Sequence, residues 1–189
     1  MSNCRIVKGG VCSAKGFRAA GVGAAIKYEG RNDVALLVAD APCAAAAVFT
    51  TNRVAAAPVL YDREIVKGGR VQAILANSGC ANACTGEAGL KDAKLSALVT
   101  AGELGIDPQH VLVASTGVIG RRLPMERLLD GMRQAAGRLG RTAEHGLAAE
   151  KAVMTTDTKP KQACATVTID GRKVTVGGMS KGSGMIEPN

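Results

Sequence analysis

Four segments of this chain place small polar residues beside glycine. They are Asn77-Ser78-Gly79-Cys80-Ala81-Asn82-Ala83-Cys84-Thr85-Gly86, Ser115-Thr116-Gly117-Val118-Ile119-Gly120, Met154-Thr155-Thr156-Asp157-Thr158 and Gly177-Gly178-Met179-Ser180-Lys181-Gly182-Ser183-Gly184-Met185-Ile186. Small side chains let a ligand come close to the main chain, and glycine leaves N–H groups free to face an oxyanion or a carboxylate. Taken singly, each segment also reads as an ordinary turn, because Ser, Asn and Gly are common in connections.

Motifs with established mechanics are missing. Gly21-Val22-Gly23 is followed by Ala24-Ala25-Ile26, without the third glycine of a dinucleotide fingerprint, and Lys181 is followed by glycine where a phosphate-binding loop needs a hydroxyl residue. His110 and His145 are the only histidines and lie far apart, which supports neither a histidine-rich metal site nor a histidine-based triad. Cys80 and Cys84 have no second pair at ligand spacing and read as buried, unpaired thiols. The chain thus offers polar glycine-rich loops without a nucleophile–base pair of its own. Its last such loop lies just before Glu187-Pro188-Asn189, so the sequence predicts a functional protein that continues in a second chain or derives from a processed precursor.

The elements that must position these loops can be read from periodicity. Short apolar or alternating runs at 20–28, 33–39, 44–49 and 71–76 predict strands, with a hairpin connection at Glu29-Gly30-Arg31-Asn32-Asp33 and an antiparallel sheet as the simplest arrangement. Leu90, Ala93, Ala97, Leu98, Ala101 and Leu104 recur at helical spacing before Gly105, predicting a helix over 88–104. After a strand at 111–114, Pro124 opens a second helix whose apolar face includes Leu128, Met132, Ala135 and Leu139. A weaker helix at 142–153 carries Gly146 in its interior, and strands at 164–169 and 173–176 flank the turn Asp170-Gly171. Strands, then helices, then strands predict an α+β layered domain over residues 1–189.

Composition narrows the function classes. The 189 residues are 47% hydrophobic and 21% charged, the balance of an ordinary globular protein, and no apolar run approaches the roughly 20 residues of a membrane span. Six cysteines in so apolar a chain, with no secretory signal at Met1-Ser2-Asn3-Cys4-Arg5, predict reduced thiols and a cytoplasmic location. The net charge of +8 suits a phosphate backbone, an acidic substrate or an acidic partner chain. Aromatic content of 2% leaves almost no stacking platforms, and the basic residues are scattered, so a nucleic-acid-binding module is the disfavoured reading.

Together with Lys15-Gly16-Phe17-Arg18-Ala19-Ala20-Gly21 and Ala47-Val48-Phe49-Thr50-Thr51-Asn52, the four loops run in an order that resembles the α chain of the ornithine acetyltransferase family, the glutamate N-acetyltransferases of cyclic arginine biosynthesis. The resemblance implies an α+β sheet-and-helix sandwich, shared with self-cleaving aminopeptidases and completed by a β chain, usually as an α2β2 assembly. It implies a precursor that cleaves itself before a threonine. That threonine becomes the first β-chain residue and the nucleophile, with its own α-amino group as the base. The family sequence before the cut is similar to Lys181 through Asn189 followed by Met-Ala, two residues more than this chain has.

The implied reaction takes the acetyl group from N-acetylornithine and gives it to glutamate. It implies Thr116 and Gly117 as the oxyanion-stabilising pair and Thr155 and Lys181 as substrate contacts, the lysine facing an α-carboxylate that both substrates carry. Asn77 and Asn82 are assigned to pocket shape only. No cofactor or metal is implied, and acetyl-CoA serves some members as an alternative acetyl donor. The competing enzymatic reading is a self-processing aminopeptidase or amidase with a chain-terminal nucleophile, which would hydrolyse amides rather than transfer acetyl groups.

Overall fold

Apolar residues on both faces of one strand fix the layering. Val34–Ala44 (β3) sends Val34, Leu36 and Val38 to one core and Ala35 and Leu37 to another, so its sheet is buried on both sides. The computed structural model describes residues 4–184, and the predicted chain-end segment at 187–189 lies outside them. β3 is flanked by Phe17–Val22 (β2) and Arg70–Cys80 (β4), both antiparallel to it, and β4 pairs with Val111–Val118 (β5) in parallel.

Above the first face lie the helices Gly86–Leu104 (α2) and Met125–Ala136 (α3), which bury Ala93, Ala97 and Ala101 and Leu128, Met132 and Ala135 against that sheet. The opposite face carries Ala143–Val153 (α4), packed against β2 where Gly21 lets helix and strand approach. A Cβ on Gly21 would lie 2.0 Å from the Ala148 carbonyl oxygen. Beyond α4 is a second, antiparallel sheet of Arg5–Val7 (β1), Lys161–Ile169 (β6) and Arg172–Ser180 (β7), in the order β1-β6-β7. Asp170 and Gly171 close the β6–β7 hairpin with φ of 49° and 75°, a two-residue turn with both central residues left-handed. The molecule is thus an α+β layered fold, as predicted.

Three local expectations are corrected. Residues 44–49 do not form a strand beyond Ala44; Val48 is almost fully exposed, and the next regular element is a helix, Ala57–Ile65 (α1), with Pro58 in its first turn. The first predicted strand at 20–28 ends at Val22. Residues 23–33 make a longer connection held by the buried Asp33, whose carboxylate accepts the N–H groups of Ala24 at 2.7 Å and Ile26 at 2.6 Å. The main sheet is mixed rather than antiparallel, because α2 returns the chain to the starting end of β4 before β5 begins.

β5 is the outer strand of its sheet, and α1 caps part of it: Asp62 Oδ1 accepts the Val113 N–H at 3.0 Å. Burial pushes this carboxyl up to about 7, with the Val113 N–H opposing the shift. A folded-state pKa above the unfolded value means that the group's relative stabilisation is greatest below the unfolded pKa and is lost as pH rises toward about 7. Asp62→Asn keeps an acceptor for Val113 and removes the ionisation. Calorimetry is expected to show a midpoint several degrees above wild type at pH 8 and a much smaller difference at pH 5; equal differences at both would reject the assignment.

The outer face of the second sheet is apolar. The registers Ile6↔Ala165, Ala165↔Val176 and Val167↔Val174 place these side chains on one side, and Ile6 is 81% and Val176 60% exposed. The inner side carries Cys164 and Met179, which face the α4 layer.

Candidate active site

The carboxyl ends of the parallel strands β4 and β5 form one wall of the site. There the ladder is irregular: Cys80 faces both Thr116 and Val118 across a register shift. Gly117 lies at φ 136°, and a Cβ on it would sit 2.4 Å from the Gly79 carbonyl carbon and 2.6 Å from the Cys80 nitrogen. Only glycine permits this close approach, which exposes the backbone at Gly117. Beneath it, buried Asn77 ties the two strand ends, accepting the Ser115 hydroxyl at 2.7 Å and donating to the Cys80 carbonyl at 3.0 Å.

Two loops supply the opposite wall. The α4–β6 connection presents Thr155, and the segment after β7 presents Lys181. Lys181 Nζ donates to Thr116 Oγ1 at 3.0 Å and to Thr155 Oγ1 at 3.1 Å, so one ammonium joins three elements separated by as many as 65 residues. Among the described residues no carboxylate forms an ion pair with Lys181. With three donors and two hydroxyl acceptors, it retains one N–H and its full charge for a ligand.

Thr116, Gly117, Thr155 and Lys181 all line a single cavity of about 390 Å³, together with Lys27, Tyr28 and Arg31. A larger cleft of about 1000 Å³ adjoins it and shares Arg31 and Thr155, but reaches none of the other three candidates. Asn77 and Asn82 do not line the 390 Å³ cavity. Asn82 is instead fully buried at the start of α2, where it donates to the Gly89 carbonyl and accepts the Thr85 hydroxyl. Of the two cysteines read as buried thiols, Cys80 is buried and Cys84 is exposed.

Sequence reasoning missed the groups that hold this arrangement together. Asp157, in the same loop as Thr155, has a side chain only 1% exposed and accepts from Thr155 N–H, Gly182 N–H and Lys161 Nζ. Burial works to raise its pKa, but the hydrogen bonds from Lys161, Gly182 and Thr155 outweigh it and hold the carboxyl well below the usual range. Arg31 donates to the Met154 carbonyl and so fastens the 23–33 connection to the same loop. Among the described residues neither oxygen of Glu150 in α4 has a hydrogen-bond partner, and burial raises its pKa.

The ArgJ family model matches residues 18–189. This chain belongs to the ArgJ family. Among curated ArgJ relatives, the arginine biosynthesis bifunctional protein ArgJ of Symbiobacterium thermophilum is 55% identical over 96% of this chain and 45% of its own length. That of Thermosynechococcus vestitus is 49% identical over 100% of this chain, again 45% of its own length. The chain therefore spans about half the length of the curated ArgJ proteins it matches. Two solved structures share the fold throughout. The arginine biosynthesis bifunctional protein ArgJ of Bacillus halodurans superposes with a TM-score of 0.96 at 43% identity, covering 100% of this chain and 98% of that one. The ornithine acetyltransferase of Mycobacterium tuberculosis, solved in complex with ornithine, gives 0.94 at 43% identity and covers 99% of each chain.

Proposed function

We propose that this chain is the α part of a glutamate N-acetyltransferase, carrying the acetyl group from N2-acetylornithine to glutamate through an acetyl-threonine on a companion β chain. The observation that carries this reading is the Lys181–Thr116–Thr155 cluster in a cavity of about 390 Å³. It combines an uncompensated cation for a substrate α-carboxylate with donors for an acyl oxyanion. The relatives' own lengths support a divided precursor: the two solved chains are each about half as long as the curated ArgJ sequences.

In the first half-reaction the β-chain threonine hydroxyl attacks the acetyl carbonyl while its α-amino group takes the proton. The tetrahedral oxyanion forms near Thr116 and Gly117. Because Lys181 occupies a lone pair of Thr116 Oγ1, the threonine proton is left to donate to that oxyanion, beside the Gly117 N–H. Collapse breaks the C–N bond and releases ornithine with the proton. In the second half-reaction the glutamate amine attacks the acetyl ester, the ester C–O bond breaks, and the amine proton passes to the threonine oxygen to restore its hydroxyl, with the same donors and the same Lys181 serving again.

The chemistry closes without a cofactor, acetyl-CoA entering only as an alternative acetyl donor. The exposed apolar face formed by Ile6, Ala165, Val167, Val174 and Val176 supports a companion chain packed there, completing the essentially one-domain α chain in an α2β2 assembly. The same reading places this biosynthetic step in the cytoplasm; among the described residues no helix is long and apolar enough to cross a membrane.

The test is the denatured intact mass of the protein from its complete reading frame, before and after exposure to N-acetylornithine without glutamate. Two fragments, with one acetyl group added to a C-terminal fragment that begins with threonine, are expected. A single chain that never gains an acetyl group rejects the transferase mechanism, and steady release of acetate without glutamate moves the assignment to hydrolysis.

A further inference from the structure

We propose that Asp157 is a positioning residue that clasps the two substrate loops in register and so sets the Lys181–Thr116–Thr155 cluster. The inference rests on the acetyltransferase reading for its kinetic consequence, though not for the clasp itself. Asp157 Oδ1 accepts the Gly182 N–H at 2.6 Å and Lys161 Nζ at 2.7 Å, and Oδ2 accepts the Thr155 N–H at 3.2 Å. Gly182 is the residue after Lys181, and Thr155 is itself one of the hydroxyls on which Lys181 rests. A single buried carboxylate therefore holds the backbone on both sides of the Lys181–Thr155 contact. Neither loop is fixed there by sheet pairing: β7 ends at Ser180 and β6 starts at Lys161.

The chemistry demands a carboxylate rather than any polar side chain. All three partners are donors and they divide between the two oxygens, so an asparagine, nearly identical in shape, must turn an NH2 toward a donor. If its oxygen stays with Gly182 and Lys161, the Thr155 N–H is left facing another donor. Lys161 is the dispensable member, because its side chain is 44% exposed and the two backbone bonds do not depend on it.

The experiment compares Asp157→Asn and Lys161→Met with wild type in the full processed protein, by steady-state kinetics and by amide hydrogen exchange without substrate. Asp157→Asn is expected to raise KM for both N-acetylornithine and glutamate by about tenfold or more, the scale of losing one charge-assisted hydrogen bond in the binding wall, while kcat falls by less than about threefold. Thr155 is expected to exchange faster in this variant, and Lys161→Met is expected to leave both KM values within about twofold. A defect that is only structural lowers the amount of active enzyme and hence kcat, without moving KM.

Unchanged exchange at Thr155 and Gly182 in Asp157→Asn overturns the clasp, and faster exchange with unchanged KM overturns its positioning role. Should Asp157→Asn fail to accumulate as folded protein, wild-type exchange decides. Protection of Gly182 above that of Ser183 is expected, and equal rates overturn the clasp. A wild-type protein that transfers no acetyl group overturns the functional reading and the positioning role with it, while exchange still reports separately on the clasp.

Discussion

Thr116→Val is expected to lower kcat for acetyl transfer by about 10²–10³-fold with little change in either KM, the magnitude typical of removing one oxyanion donor. Valine matches threonine in shape and suits a strand, so β5 should form as before and the thermal midpoint should stay within a degree or two. What disappears is the hydroxyl proton that Lys181 leaves free by taking a lone pair of Thr116 Oγ1. In the proposed reaction both half-reactions pass through an oxyanion, so acetyl-enzyme formation, read by mass after mixing with N-acetylornithine, should slow as much as the full cycle. Thr116→Ser keeps a hydroxyl and should recover most of the rate. A Thr116→Val kcat within about threefold of wild type would remove this side chain from the oxyanion role. Gly117→Ala should behave differently, because the added carbon meets the Gly79 and Cys80 backbone at 2.4 and 2.6 Å. It is expected to lower the melting temperature together with activity.

The contrast between these neighbouring residues shows what sequence makes legible and what it hides. The long amphipathic helices α2 and α3 and the β6–β7 turn at Asp170-Gly171 are visible because their signals are local: apolar spacing, a stopping Gly105, a left-handed dipeptide. Helix α1 is harder to see, since it buries only Ala57 and Pro58 fully and follows an alanine-rich run whose composition fits several structures. The parallel pairing of β4 with β5 is not local at all. It depends on where α2 returns the chain, and no residue of either strand encodes that.

The site follows the same division. Thr155 and Lys181 stand in loops and Thr116 and Gly117 at the end of β5, in segments whose small residues mark them as places a ligand can approach, and the family resemblance selects them from among their neighbours. Asp33 and Asp157 read as ordinary loop formers, because the property that matters, a buried carboxylate surrounded by backbone N–H groups, exists only once distant segments meet. Asn82 shows the converse. In sequence it is as conspicuous as Asn77, yet it is spent on the turn that starts α2.

Lys181→Met is expected to raise KM for N-acetylornithine and for glutamate together by about 10–100-fold, the loss of one charge-assisted hydrogen bond to a carboxylate. Methionine keeps the length and apolar character of the stem, so the change is close to removal of the charge alone. The expectation of a shared effect follows from the geometry. Lys181 faces one cavity, and in the proposed reaction the α-carboxylate is the group that donor and acceptor have in common, so a single cation would serve both half-reactions. A smaller fall in kcat should accompany it, because Thr116 loses the donor that fixes its hydroxyl proton. Lys181→Arg is not expected to restore either KM. The ammonium reaches Thr116 and Thr155 at 3.0 and 3.1 Å as a point donor, whereas a planar guanidinium needs room for its fork between the same two hydroxyls. If Lys181→Met raised KM for only one substrate, the two carboxylates would have to bind at different places in the cavity. Unchanged KM for both would leave Lys181 as a tie between Thr116 and Thr155, with no substrate contact.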